Sequence, residues 1–149
     1  DYLQENLRIL SGFYGMLRAF DGVVPYRLEM QARLACDGYK NLYTFWNSLL
    51  YDELTKDDGE VLNLASKEYY KAIEPYVKDG VRFVTCVFGT YVNGKLKVKA
   101  TEAKMARGEM VRLCAENNVQ SVGEVKAYNV RGYVFNEELS TEIEFVFVK

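Results

Sequence analysis

No histidine occurs in the 149 residues. Its absence excludes from this chain the serine and cysteine triads, HExxH zinc sites and the facial iron triad, all of which need an imidazole. Cysteine is sparse: Cys36, Cys86 and Cys114 stand far apart with no CxxC pair, so no thiolate metal site is encoded locally and no metal or cofactor is expected. An odd, scattered set of thiols suits a reducing compartment, with Cys86 and Cys114 as small buried hydrophobes. Proline appears only twice, and no Pro- or Ser-rich linker divides the chain. Apolar runs are too short to cross a bilayer, and no signal peptide precedes the first residue. The expectation is one cytoplasmic domain over residues 1–149 without a membrane partner. The chain opens at Asp1 rather than Met, with Leu3, Leu7 and Leu10 already at helical spacing, and reads as a piece of a longer protein.

What is present is the composition of a packed protein. Hydrophobic residues make up 49%, aromatics 14% and charged residues 27%, with a net charge of −2, which allows a sizeable core and favours no polyanion through bulk charge. Hydrophobic spacing predicts a helix over residues 2–10 and a half-buried strand in the strict alternation of Tyr26, Leu28, Met30, Ala32 and Leu34. Leu42, Phe45, Trp46, Leu49 and Leu50 predict a helix running to residue 55. A short strand over 61–65 leads to a helix capped by Ser66 and closed near Pro75. Strands over 81–88 and 95–100 flank Asn93-Gly94, a strong hairpin signal. A helix over 101–117 follows, then a capping box at Ser121 and Glu124, and strands over 130–135 and 143–148. Interleaved helices and hairpins point to an α/β protein of mixed α+β type, a central mixed sheet with flanking helices.

Three features carry possible chemistry. On the helical wheel of 101–117, Arg107 falls at about 40° from Ala103, inside the stripe formed by Ala106, Met110 and Cys114. An arginine there snorkels, meets a carboxylate such as Glu29 or Glu68, or binds an anion. Residues 95–112 hold six basic and two acidic side chains. Lys95, Lys97 and Lys99 alternate with Leu96, Val98 and Ala100, so one strand face would be a basic ribbon, a phosphate-contacting surface or an edge strand protected from aggregation. Asn63-Leu64-Ala65-Ser66 runs a polar-bearing strand into a helix start, where backbone N–H groups are free for an anion or for a plain Ser cap. Gly12 and Gly15 do not form a P-loop or a dinucleotide fingerprint.

Together these segments resemble a known family. Ser11-Gly12-Phe13-Tyr14-Gly15-Met16-Leu17-Arg18, Asp21 and Pro25-Tyr26-Arg27-Leu28-Glu29-Met30 are similar to the bacterial YaaA family of peroxide-stress proteins. So are Tyr43-Thr44-Phe45-Trp46, Asn63-Leu64-Ala65-Ser66-Lys67-Glu68-Tyr69, Lys104-Met105-Ala106-Arg107-Gly108 and Gly132-Tyr133-Val134-Phe135. The order is kept across nearly the whole chain. The similarity covers the C-terminal part of the family, without its Ser-Pro-Ala-Lys stretch or its helix-hairpin-helix element. It implies a mixed α/β fold and a cytoplasmic role in the oxidative stress response by DNA binding and protection. No reaction or catalytic residue is attached to it. Family motif positions include Arg18, Arg27, Glu29, Asn63, Ser66, Glu68, Lys104 and Arg107.

Two functions are therefore expected as rivals, beside a third reading as a scaffold whose charged residues only pair with one another. In the first, basic residues around Lys97, Lys99, Lys104 and Arg107 contact duplex DNA. In the second, an enzyme or nucleotide-binding protein gathers Arg27, Glu29, Asn63, Glu68, Lys104 and Arg107 around a phosphorylated small molecule, and Arg27 or Arg107 lies within bonding reach of Glu29 or Glu68.

Overall fold

The computed structural model describes all residues, 1–149. It shows a mixed α/β chain whose contacts fall into two compact units. Asp1–Gly59 with Ala65–Val81 form the first, and Glu60–Leu64 with Arg82–Lys149 form the second. No helix is long and apolar enough to cross a membrane.

The first unit starts with α1 (Tyr2–Asn6), then β1 (Arg8–Ser11) and β2 (Gly15–Arg18). The helix predicted over 2–10 is thus half helix and half strand. Leu7 turns extended, and β1 pairs antiparallel with β2 in the register Leu10↔Met16. The Leu3-Leu7-Leu10 spacing is helical, but the ladder partner β2 claims the second half.

Two further expectations fail here. The alternating segment from Tyr26 to Leu34 forms no strand. Its burial does alternate, with Met30 buried and Leu28 and Ala32 half-buried between exposed neighbours. A turn closed by the Ala32 N–H on the Glu29 carbonyl at 3.0 Å bends the chain at Met30 and Gln31, no partner supplies ladder bonds, and Tyr26 and Leu34 at the ends stay exposed. The four-turn helix ending at residue 55 is two helices, α2 (Leu42–Trp46) and α3 (Leu49–Thr55). Asn47 interrupts them with φ +50° and ψ −135°, outside the helical region, so the first helix cannot run on through it. Asn41 caps α2 in a reciprocal box with Thr44. The unit closes with α4 (Lys67–Tyr70) and a 3-10 turn at Glu74–Tyr76 that holds Pro75. Met30, Leu42, Leu50, Tyr51, Ala72 and Ile73 are its buried apolar residues.

The second unit is the mixed sheet the sequence predicts. β3 (Glu60–Asn63) lies parallel to β4 (Arg82–Val92), which lies parallel to β7 (Glu144–Val148), which pairs antiparallel with β6 (Val134–Phe135). Beyond Gly89, β4 pairs only with β5 (Lys95–Lys97). Asn93 and Gly94 both take positive φ, 50° and 75°, as a two-residue hairpin turn requires. β5 stops at Lys97, short of the predicted residue 100, because Lys99 becomes the N-cap of α5 (Ala100–Glu116).

Ala103, Ala106, Met110 and Cys114 form the buried stripe of α5, as their spacing requires. The Ser121–Glu124 capping box forms, on a 3-10 helix. The predicted strand over 130–135 shrinks to β6, with Val130 and Tyr133 joined by an isolated bridge across Arg131 and Gly132. Both of these residues have positive φ, and the tight turn they form ends the extended run. Phe88 stacks on Phe147 at 5.2 Å and meets Tyr133 edge-on at 5.7 Å, giving this core its aromatic centre.

Candidate functional site

The family-like residues of the first unit collect around the β1–β2 turn. Ser11, only 3% exposed, accepts the Tyr14 N–H at 3.0 Å and shares a short hydrogen bond with the Tyr26 hydroxyl. The Tyr14 hydroxyl accepts the Val24 N–H at 3.0 Å. Phe13, Tyr14 and Tyr26 contact one another ring to ring, and the Trp46 indole donates to the Gly12 carbonyl at 3.2 Å. A polar hinge thus pins the segment around residues 24–26 to the end of β1.

Glu68, in the first turn of α4, accepts the Gln31 N–H at 3.4 Å, and its carbonyl accepts the Tyr43 hydroxyl at 2.8 Å. Burial pushes the Tyr69 phenol up, and the charges of Glu68 and Glu29 push it further. Tyr43 is raised in the same way, by burial first and then by Glu68.

Arg27 is exposed and makes no ion pair with Glu29 or Glu68. Ser66 sits at the N-cap of α4, but its hydroxyl makes no capping bond. Arg18 is exposed and lies opposite Arg8 in the β1–β2 ladder, its own N–H bonded to the Asp21 carboxylate at 2.7 Å.

The remaining candidates belong to the second unit. Asn63 is buried, its amide donating to the Thr85 hydroxyl at 3.0 Å across the parallel register. That bond satisfies a polar group inside the sheet, the role any buried amide must fill. Arg107 is half-buried beside the apolar stripe of α5, with its Nε shielded from solvent.

Lys95 and Lys97 share a face of β5, opposite Val92 and Thr90. Lys99 has left the strand, so the three lysines do not form the continuous ribbon expected. The chain instead bends so that Lys99 marks the start of α5 and Lys104 follows in its second turn. All four side chains are exposed, and none is in an ion pair. By contrast, Arg112 is committed to Glu109 and Glu116, both at 2.5 Å, and Arg82 to Glu60 at 3.0 Å.

Sequence reasoning had missed Lys149. Its N–H donates to the Gly89 carbonyl at 3.2 Å, and its ammonium lies 3.5 Å from Glu102 and 4.9 Å from the Tyr133 ring centroid. Only the pairing of β4 with β7 brings this last residue to the first turn of α5, so no local pattern could have signalled it.

Residues 1–139 match the family described as peroxide stress protein YaaA. The chain belongs to that family. It is similar to the UPF0246 protein of Limosilactobacillus reuteri strain DSM 20016, at 57% identity over 98% of this chain and 59% of the relative. The UPF0246 protein of Pediococcus pentosaceus is 53% identical over 99% of the chain and 59% of its own length. That of Desulfitobacterium hafniense strain Y51 is 52% identical over all of the chain and 59% of its own length. This YaaA-family chain therefore spans about three fifths of the curated relatives it matches.

Proposed function

We propose that this YaaA-family chain serves the peroxide response by contacting duplex DNA, with Lys95, Lys97, Lys99 and Lys104 as phosphate contacts. The observation that carries the reading is the set of four exposed lysines without carboxylate partners on β5, at the N-cap of α5 and in its second turn. Unneutralised like charges on neighbouring turns repel one another and oppose the positive end of the helix. A polyanion relieves both costs. B-DNA offers a phosphate charge about every 1.7 Å along its axis, dense enough to engage several lysines at once. The net charge of −2 makes the attraction local rather than global, so binding by this chain alone is weak.

The test is a fluorescence-anisotropy titration of a labelled duplex at several salt concentrations. Lys97→Gln, Lys99→Gln and Lys104→Gln combined should weaken binding equally on unrelated sequences. Each phosphate contact removed should reduce the slope of log affinity against log salt by about 0.9. An unchanged slope in the triple variant moves the DNA surface off these residues. Binding of inorganic phosphate or a nucleotide that barely responds to salt, with no duplex binding, supports the small-ligand function instead.

A further inference from the structure

We propose that residues 23–29 are an unfilled strand edge, completed in full-length family members by a strand from the part of their polypeptide that this chain does not span. Leu28, Met30 and Ala32 turn inward between exposed neighbours, Tyr26 stays 42% exposed, and no part of the segment has a ladder. The N–H groups of Tyr26, Arg27, Leu28 and Glu29 have no hydrogen-bond partner anywhere in the chain. A segment with strand periodicity, β-compatible residues and unsatisfied amides is what remains of a strand when its neighbour is removed.

One side of this segment is already occupied. The Leu28 carbonyl lies so near Gly12 that a Cβ there would sit 2.7 Å from it, and Tyr26 is bonded to Ser11. Amides alternate sides along an extended chain, so with Leu28 facing Gly12 the amides of Arg27 and Glu29 face the open side.

The surroundings agree. Phe13 (55% exposed), Phe20 (71%) and Val24 (64%) leave their apolar surface in solvent, as do Val23 and Tyr26. Phe13 and Tyr26 are in ring contact with each other and with Tyr14, whose hydroxyl accepts the Val24 N–H, so the exposures of Phe13, Val24 and Tyr26 are neighbours along this edge. Isolated apolar residues on a surface need no explanation, but a contiguous patch beside unpaired amides does. β1 and β2 form a sheet of only two strands, a size that is marginal in water without further cover. The occupant is available in the family, because about two fifths of the Limosilactobacillus reuteri relative lies outside the match. Apolar burial on one face and main-chain bonds along the edge are the two requirements of strand addition.

Hydrogen exchange measured by mass spectrometry on this chain and on the full-length Limosilactobacillus reuteri relative tests the proposal. Peptides covering Tyr26–Glu29 should exchange at nearly the unfolded rate in this chain. The matching peptides of the relative should exchange about 100-fold or more slowly, as ladder amides do. Adding the unmatched part of the relative as a separate polypeptide should protect the same peptides in this chain. Arg27→Pro, which removes one open-side donor, should lower the melting temperature of the relative at the matching position and leave that of this chain unchanged.

Equal exchange in the two proteins overturns the proposal, as does protection already present in this chain alone. Protection that grows with the concentration of this chain, with a doubled mass on gel filtration, assigns the edge to a second copy and overturns it equally. A relative that tolerates the proline removes the ladder even if the region is covered.

Discussion

Two glycine-to-alanine substitutions of identical chemistry should act in opposite directions. At Gly12 an added Cβ would stand 2.7 Å from the Leu28 carbonyl oxygen and 3.3 Å from the Glu29 carbonyl carbon, both main-chain atoms that cannot rotate away. The φ of Gly12 is not positive, so the cost is steric and falls on the approach of two chain segments. Forcing a methyl into a filled site costs about 1–3 kcal/mol. The displaced backbone also carries the acceptor of the Trp46 indole bond, whose loss adds about 1 kcal/mol. The sum, about 2–4 kcal/mol, corresponds to a melting temperature lower by roughly 5–15 °C in a chain of this length.

At Gly108, inside α5, an added Cβ meets nothing within 4 Å. There alanine should stabilise by about 0.5–1 kcal/mol, through helix propensity and a less disordered unfolded chain. Trp46 is the only tryptophan, so its emission reports the first unit directly while circular dichroism follows α5. Gly12→Ala should shift the indole emission and lower its unfolding midpoint, and Gly108→Ala should do neither. Equal effects of the two substitutions, or a Gly12→Ala protein that melts like wild type, would refute the close approach of Leu28 to Gly12.

Further outcomes follow from the burial and charge of single groups. Burial pushes the Cys86 thiol up to about 12 and Cys114 to about 11, so in the folded chain a thiol reagent should modify half-buried Cys36 first, with all three reacting in denaturant. Unfolded thiols ionise near 9.0, and a raised folded value means that the unfolded state gains charge first. The stability owed to Cys86 is therefore complete below about pH 9 and declines as pH rises toward 12, which urea midpoints of wild type and Cys86→Ala between pH 8 and 10.5 should reveal. The Arg112 guanidinium holds the Glu109 carboxyl below its ordinary 4.5, so that pair contributes above pH 4.5 and is lost as pH falls further. Arg112→Gln should raise the Glu109 titration midpoint seen by carbon NMR. Phe88→Ala removes a ring that is 1% exposed and should destabilise the second unit by about 3–5 kcal/mol in chemical denaturation.

Elements whose code is local were legible in the residues. The Asn93-Gly94 hairpin, the Ser121–Glu124 capping box, the buried stripe of α5 and the strand at the chain's end all form, because turn angles, caps and a 3.6-residue period are satisfied within a few residues of their cause. Family membership was legible for the same reason, since the motifs are strings of neighbours. The lysines of β5 and α5 could be counted, but whether they shared a face depended on where β5 ended, and that was decided by the demand of α5 for an N-cap at Lys99.

Other features needed the tertiary structure. Arg8 to Ser11 became strand because β2 was there to pair, and Asn47 broke one helix into two. Lys149 reached Glu102 only through the β4–β7 register. The segment from Tyr26 to Leu34 is the clearest case. Its sequence specifies which side chains go inward, and the structure honours that pattern at Leu28, Met30 and Ala32 though not at exposed Tyr26 and Leu34, but a strand also needs a second strand. Periodicity is a property of one segment and pairing is a property of two, so the residues alone determined the faces and only the tertiary structure decided the ladder.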